Sequence, residues 1–122
     1  MVGIGTSAGG LVALEAFFSH ALADSGIAYI VVQHLDPTKK ALLPELLQRV
    51  TTMTVRSARH NQLIKPDHVY IIPPNRELTV QSGKLILAPS SEVGGLRLPV
   101  NVLFHSLALE YADRAVGVVL SG

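Results

Sequence analysis

Cysteine is absent from the 122 residues, which excludes a disulfide scaffold, a thiolate zinc site and a cysteine nucleophile. A reducing, cytoplasmic setting fits that absence. Charge of one sign is missing too: ten Lys and Arg face nine Asp and Glu, a formal charge of +1. Such a balance leaves no basic stripe for a nucleic acid and no polybasic patch for a membrane surface. Long hydrophobic runs are lacking as well. Stretches such as Ala115 to Leu120 fall far short of the ~20 residues that span a bilayer, and Met1 to Gly10 lacks the basic start of a secretory signal. No internal repeat, low-complexity tract or heptad run is visible. His20, His60, His68 and His105 share no spacing and form no H-E-x-x-H, so metal binding is not expected. His105, beside Leu103 and Phe104, reads as a packing or capping residue, and Arg56, Arg59 and Lys65 read as solvated surface.

What is present is apolar and patterned. Hydrophobic residues make up 48% of a chain long enough for one domain and too short for two. Val2 to Gly5 is a short buried-strand pattern. Leu11, Ala13, Leu14, Phe17 and Phe18 follow at helical spacing, to an end near Ala23-Asp24-Ser25-Gly26. Ile27 to Val32 is rich in β-branched residues and free of charge, as a strand covered on both faces would be. Leu42, Leu43, Leu46, Leu47 and Val50 predict a second helix with Pro44 in its first turn. Thr54 to Arg56 and Val69 to Ile72 predict further strands. Leu78 to Val80 and Lys84 to Leu87 flank a hairpin turn at Ser82-Gly83. A loop from Ala88 to Leu98 leads to a third helix through Val100, Leu103, Phe104 and Leu107.

This alternation predicts an α/β domain: a doubly wound, mostly parallel sheet with helices on both faces, and an antiparallel hairpin added as an edge ribbon. Val116 to Leu120 reads as an interior strand, which needs a covering helix after it. Residues 1–122 are therefore expected to form a single, C-terminally truncated domain.

Catalytic groups in parallel sheets gather at the carboxyl ends of strands. Two such ends carry chemistry here. Gly5-Thr6-Ser7-Ala8-Gly9 matches the G-x-S-x-G nucleophile elbow, between a strand and a helix as that motif requires. Its glycines suit a tight turn close to the following helix. The Ala8 amide, with the positive helix end near Gly9, is a candidate oxyanion donor. Gln33-His34-Leu35-Asp36-Pro37 follows the second strand, so neighbouring strands would let His34 accept the Ser7 proton. Asp36 reads as a cap for the helix near Lys39, while Asp24, Asp67 and Asp113 fall at the opposite end of the sheet. The strand end after Leu120 is left for the acid, which places it just past Gly122. Two rival readings fit the same residues. One is a serine-capped glycine turn. The other is a nucleotide-binding turn, Gly3-x-Gly5-x-x-Ala8, weakened by Gln33 and His34 where an acidic ribose ligand belongs.

Four segments in order resemble one family: Val2 to Gly10, Val31 to Pro37, Pro66 to Asn75, and Arg97 to Phe104 together with Val116 to Gly122. The chain looks like the catalytic domain of the CheB-type chemotaxis protein-glutamate methylesterases. Leu42-Leu43-Pro44-Glu45-Leu46-Leu47, and the lack of a receiver domain ahead, look closest to the first domain of CheB/CheR methylesterase–methyltransferase fusions. The resemblance implies Ser7 as nucleophile and His34 as base, with the triad aspartate in a G-x-G-x-D-G segment beyond Gly122. Without that aspartate the fragment is expected to be weakly active or inactive. The family usually has threonine where this chain has Ala8, which puts any role of that hydroxyl in doubt. The implied reaction is hydrolysis of γ-glutamyl methyl esters on the cytoplasmic helices of chemoreceptors, with glutamine deamidation as a related activity and no cofactor. A linked methyltransferase or regulatory domain is an implied partner. A non-catalytic signalling platform on the same fold is the remaining alternative.

Overall fold

The structure, a computed structural model, describes residues 1–6, 10–33, 42–73, 75–89 and 99–120. In chain order these form β1 (Val2–Thr6), α1 (Leu11–His20), β2 (Tyr29–Gln33), α2 (Leu43–Gln48), β3 (Thr54–Ser57), β4 (Gln62–Leu63), β5 (His68–Ile71), β6 (Arg76–Gln81), β7 (Lys84–Pro89), α3 (Pro99–Tyr111), a 3-10 turn (Ala112–Arg114) and β8 (Val116–Leu120). Five strands make a parallel sheet in the order β3-β5-β2-β1-β8. No helix among the described residues is long and apolar enough to cross a membrane.

The period-2 alternation of strand side chains divides the interior in two. Ile4, Tyr29, Val31, Val69 and Ile71 point to one face, where Leu14 and Phe18 of α1 and Leu43 and Leu47 of α2 cover them. Ile30, Val32, Tyr70 and Ile72 belong to the other, beneath Leu103 and Leu107 of α3 and Leu78, Val80 and Leu85 of the hairpin. Helices therefore lie on both faces, and the winding changes sides at β1. Pro44 sits in the first turn of α2 and Pro99 opens α3, positions where a missing N–H costs little.

The hairpin is present, but not where the sequence suggests. Ser82 (φ 52°) and Gly83 (φ 76°) are both left-handed, as a two-residue primed turn requires. Yet β6 and β7 do not extend the parallel sheet. With β4 they make a separate three-stranded sheet, β4-β7-β6. The reason is amphipathicity: the cross-strand pairs Val80–Leu85 and Leu78–Leu87 share one face, and that face has to lie on something apolar. It is buried against the parallel sheet, so the hairpin covers the sheet instead of prolonging it.

Two smaller expectations, the end of α1 and the packing of His105, also need correction. Helix α1 ends at His20, earlier than its apolar spacing suggests, with Ala21 already in extended conformation (φ −76°, ψ 136°). Strand β8 pairs with β1 alone among the described residues, and its Val116 and Val119 are exposed. His105 faces solvent and does not pack. Its neighbour Ser106 is the buried one, accepting the Val80 N–H at 2.6 Å and donating to the Val80 carbonyl at 3.0 Å.

Candidate active site

Ser7, Ala8, Gly9, His34 and Asp36 lie outside the described residues; the strand ends that lead to them do not. Strands β1 and β2 are direct neighbours, parallel and in register, with Thr6 opposite Gln33. Thr6 is equally opposite Leu120 on its other side. The carboxyl ends of β1, β2 and β8 thus form one continuous rim, with adjacent strands about 4.8 Å apart. Ser7 follows Thr6 in sequence, His34 follows Gln33 and Ser121 follows Leu120. No strand intervenes between the first two.

Helix starts add to the rim. Helix α1 begins at Leu11 with Gly10, not a serine, at its N-cap, and no acidic residue in its first turn. Glycine has no side chain to satisfy the free amides, so among the described residues no side chain caps the positive end of the macrodipole there. Val100, the second residue of α3, lies against Gly5, so α3 starts near this rim as well. Such an arrangement favours negative charge developing at the strand ends.

The opposite rim holds the aspartates, as their places in the sequence suggest. Asp67 Oδ1 accepts the Gly26 N–H at 2.8 Å and the Asp67 N–H donates to the Ile27 carbonyl at 2.9 Å. Those bonds tie the loop before β5 to the loop before β2. Asp24 precedes β2 and Asp113 lies in the turn before β8. A five-residue strand at about 3.3 Å per residue keeps each roughly 15 Å from the candidate rim, too far to orient an imidazole there. Among the described residues no group of three His, Asp or Glu side chains could hold a metal ion.

Gly3 and Gly5 serve packing. A Cβ on Gly3 would come within 2.6 Å of Leu107 Cδ1, and one on Gly5 within 2.5 Å of Val100 Cγ1. Gly117, opposite Gly3 in the register, would meet the Phe104 ring at 3.1 Å. A lane of bare backbone across β1 and β8 thus lets α3 seat directly on the sheet. Gly5 is needed for this close approach. The same contacts fill the space above Gly3 and Gly5 on the face toward α3. Glycines two apart within a strand share a face, a pattern that fits a helix seat without singling it out.

Comparison with known proteins now decides the family. The profile of the CheB methylesterases matches residues 2–122. The chain belongs to the CheB methylesterase family. A protein-glutamate methylesterase/protein-glutamine glutaminase of Desulfitobacterium hafniense is 34% identical over 127 aligned residues, which cover 100% of this chain and 32% of that protein. One of the same name from Treponema denticola is 32% identical, covering 100% of this chain and 34% of that protein. The crystal structure of the Thermotoga maritima CheB methylesterase catalytic domain superposes with a TM-score of 0.85 at 29% identity, over 99% of this chain and 66% of that one. The chain thus spans about a third of these two CheB relatives and just under two thirds of the solved domain. The parallel sheet, the helices on both faces and the antiparallel hairpin are those of a CheB domain.

Proposed function

We propose that this chain supplies the nucleophile and base of a serine esterase that removes methyl groups from glutamate methyl esters on chemoreceptors, in bacterial chemotaxis-type signalling. Ser7 is the nucleophile and His34 its base. The observation that carries this reading is the Thr6–Gln33 register: the strands leading to the two residues are adjacent, parallel and end level. The family of the chain and the names of its relatives support the substrate class.

On this reading Ser7 Oγ attacks the γ-carbonyl of the methyl ester as His34 takes the hydroxyl proton. The oxyanion is held by the Ala8 amide, aided by Gly9 and the uncapped start of α1. Collapse of the tetrahedral species breaks the C–O bond, and the proton on His34 goes to the departing methoxide, giving methanol. Water, deprotonated by His34, then releases the glutamate and regenerates Ser7. A glutamine side chain in place of the ester releases ammonia by the same steps. The carboxylate that orients His34 is proposed to come from the segment following Gly122, consistent with the greater length of the relatives. The cytoplasm is the compartment that the chemistry and the cysteine-free sequence suit.

Ser7→Ala in the protein carrying this chain is expected to abolish methanol release from methylated receptor while leaving the circular dichroism spectrum and melting temperature unchanged. Loss of a triad nucleophile typically removes on the order of 10⁶ in kcat. Undiminished methanol release would end the assignment of Ser7 as nucleophile, and absence of release from the unsubstituted protein would favour a non-catalytic platform.

A further inference from the structure

At its buried strand positions, the face of the parallel sheet under α1 and α2 is apolar except at two places. Along β1 it presents Val2, Ile4 and Thr6, along β2 Tyr29, Val31 and Gln33, and along β5 Val69 and Ile71. Thr6 and Gln33 are both buried, at 4% and 2% exposure, and each is the last residue of its strand. They are also register partners, so their side chains rise side by side from the same face. Burial of hydroxyl and carboxamide groups costs free energy unless their hydrogen bonds are made within the protein. Valine would fill the space of Thr6 and methionine that of Gln33 without that cost. Elsewhere on this face the interior positions are apolar. Two polar residues therefore break the pattern at the point where the two strands hand over to Ser7 and His34.

We infer that Thr6 and Gln33 are positioning residues: a buried polar pair that fixes the ends of β1 and β2, and through one peptide bond each sets the separation of the Ser7 hydroxyl and the His34 imidazole. The inference rests on the Ser7–His34 reading above and deepens it. Its physical basis is that hydrogen-bonded groups in a packed interior have few alternative arrangements, whereas an apolar strand end is free to slide by fractions of an ångström. Proton transfer tolerates little of that. A misplacement of about 1 Å in a reacting pair costs up to 10²-fold in rate.

The test uses a fluorophosphonate probe, which reports the reactivity of the Ser7 hydroxyl without any receptor. The second-order labelling rate would be measured across pH for the wild type, Ser7→Ala, Thr6→Val, Thr6→Ser and Gln33→Met, with the modified peptide identified by mass. Thr6→Val and Gln33→Met are expected to lower the rate about 10- to 100-fold and to displace the midpoint of its pH profile. Thr6→Ser, which keeps the hydroxyl, should recover most of the loss. A structural role alone would lower the melting temperature and leave the midpoint in place. Labelling at Ser7 that proceeds at the wild-type rate with an unmoved midpoint in both variants overturns the inference while the dyad stands. No labelling of Ser7 in the wild type overturns the dyad and the inference with it. Thr6→Val is isosteric, so the comparison with Thr6→Ser remains decisive even if Gln33→Met fails to fold.

Discussion

The two faces of β1 are built on opposite rules. Toward α1 and α2 the strand offers side chains, and stability comes from filling: Ile4, Leu14, Phe18, Val31 and Leu47 are almost completely buried together. Toward α3 it offers Gly3 and Gly5, and stability comes from leaving space empty for a helix that brings Val100, Phe104 and Leu107 onto bare backbone. One face should be damaged by removing atoms, the other by adding them. Only the filled face carries the buried polar pair at the rim, while the bare one fixes how closely α3 approaches.

The largest expected effect lies on the filled face. Phe18 is 1% exposed and packs edge-on against Phe17 and Tyr29, with ring centroids 5.1 and 5.4 Å away. Phe18→Ala removes both aromatic contacts and leaves a cavity between α1 and the sheet, at a cost of about 3–5 kcal/mol. Urea denaturation would read this as a large fall in midpoint at nearly constant slope. A loss below about 1 kcal/mol would mean that α1 is not anchored by this cluster.

Next comes the opposite operation on the other face. In Gly5→Ala the new methyl would lie 2.5 and 2.7 Å from the two γ-carbons of Val100, so α3 must lift or β1 must shift. Overpacking of this kind costs about 1–3 kcal/mol. The comparison sharpens in the double variant: Val100→Ala removes those two γ-carbons, so Gly5→Ala/Val100→Ala should be more stable than the sum of the single losses predicts. A coupling of about 1 kcal/mol or more is expected from residues in direct contact. Simple additivity would place the need for glycine elsewhere than under α3.

This pair of faces also explains what could be read from the sequence. Strands β1 and β2 were legible because their apolar residues are local and uninterrupted, and the hairpin because Ser82-Gly83 has the turn chemistry. Two-residue β4 has no periodicity to betray it. Where the hairpin docks was not legible, since its apolar face specifies that it must be covered but not by what. The rim was legible in outline, because the G-x-S-x-G and Gln33-His34 motifs each close a recognisable strand. The second meaning of Gly3 and Gly5 was hidden for a different reason. A G-x-G pattern suits a phosphate cradle, a tight elbow or a helix seat equally well, and the residue that chooses among them for Gly5 is Val100, far along the chain. Ser106 was missed on similar grounds: a serine within a helix gives no sign that it will close the outer edge of β6 at Val80.

Gly117 marks the limit of the bare-backbone rule, and should give the smallest effect. Its added methyl would lie 3.1 Å from Phe104 Cε2 and 3.3 Å from two further ring atoms, tighter than ordinary contact but by tenths of an ångström. Phe104 is only partly buried and β8 is bonded to β1 alone among the described strands, so both partners have room to yield. Alanine also restricts the unfolded chain more than glycine does, a gain of about 0.5–1 kcal/mol within a strand. These opposing contributions predict that Gly117→Ala changes stability by no more than about 0.5 kcal/mol, whereas Gly5→Ala costs several times that. Equal losses at the two positions would show that α3 presses as hard on the edge strand as on the central one, and that β8 is held more rigidly than its exposed valines suggest.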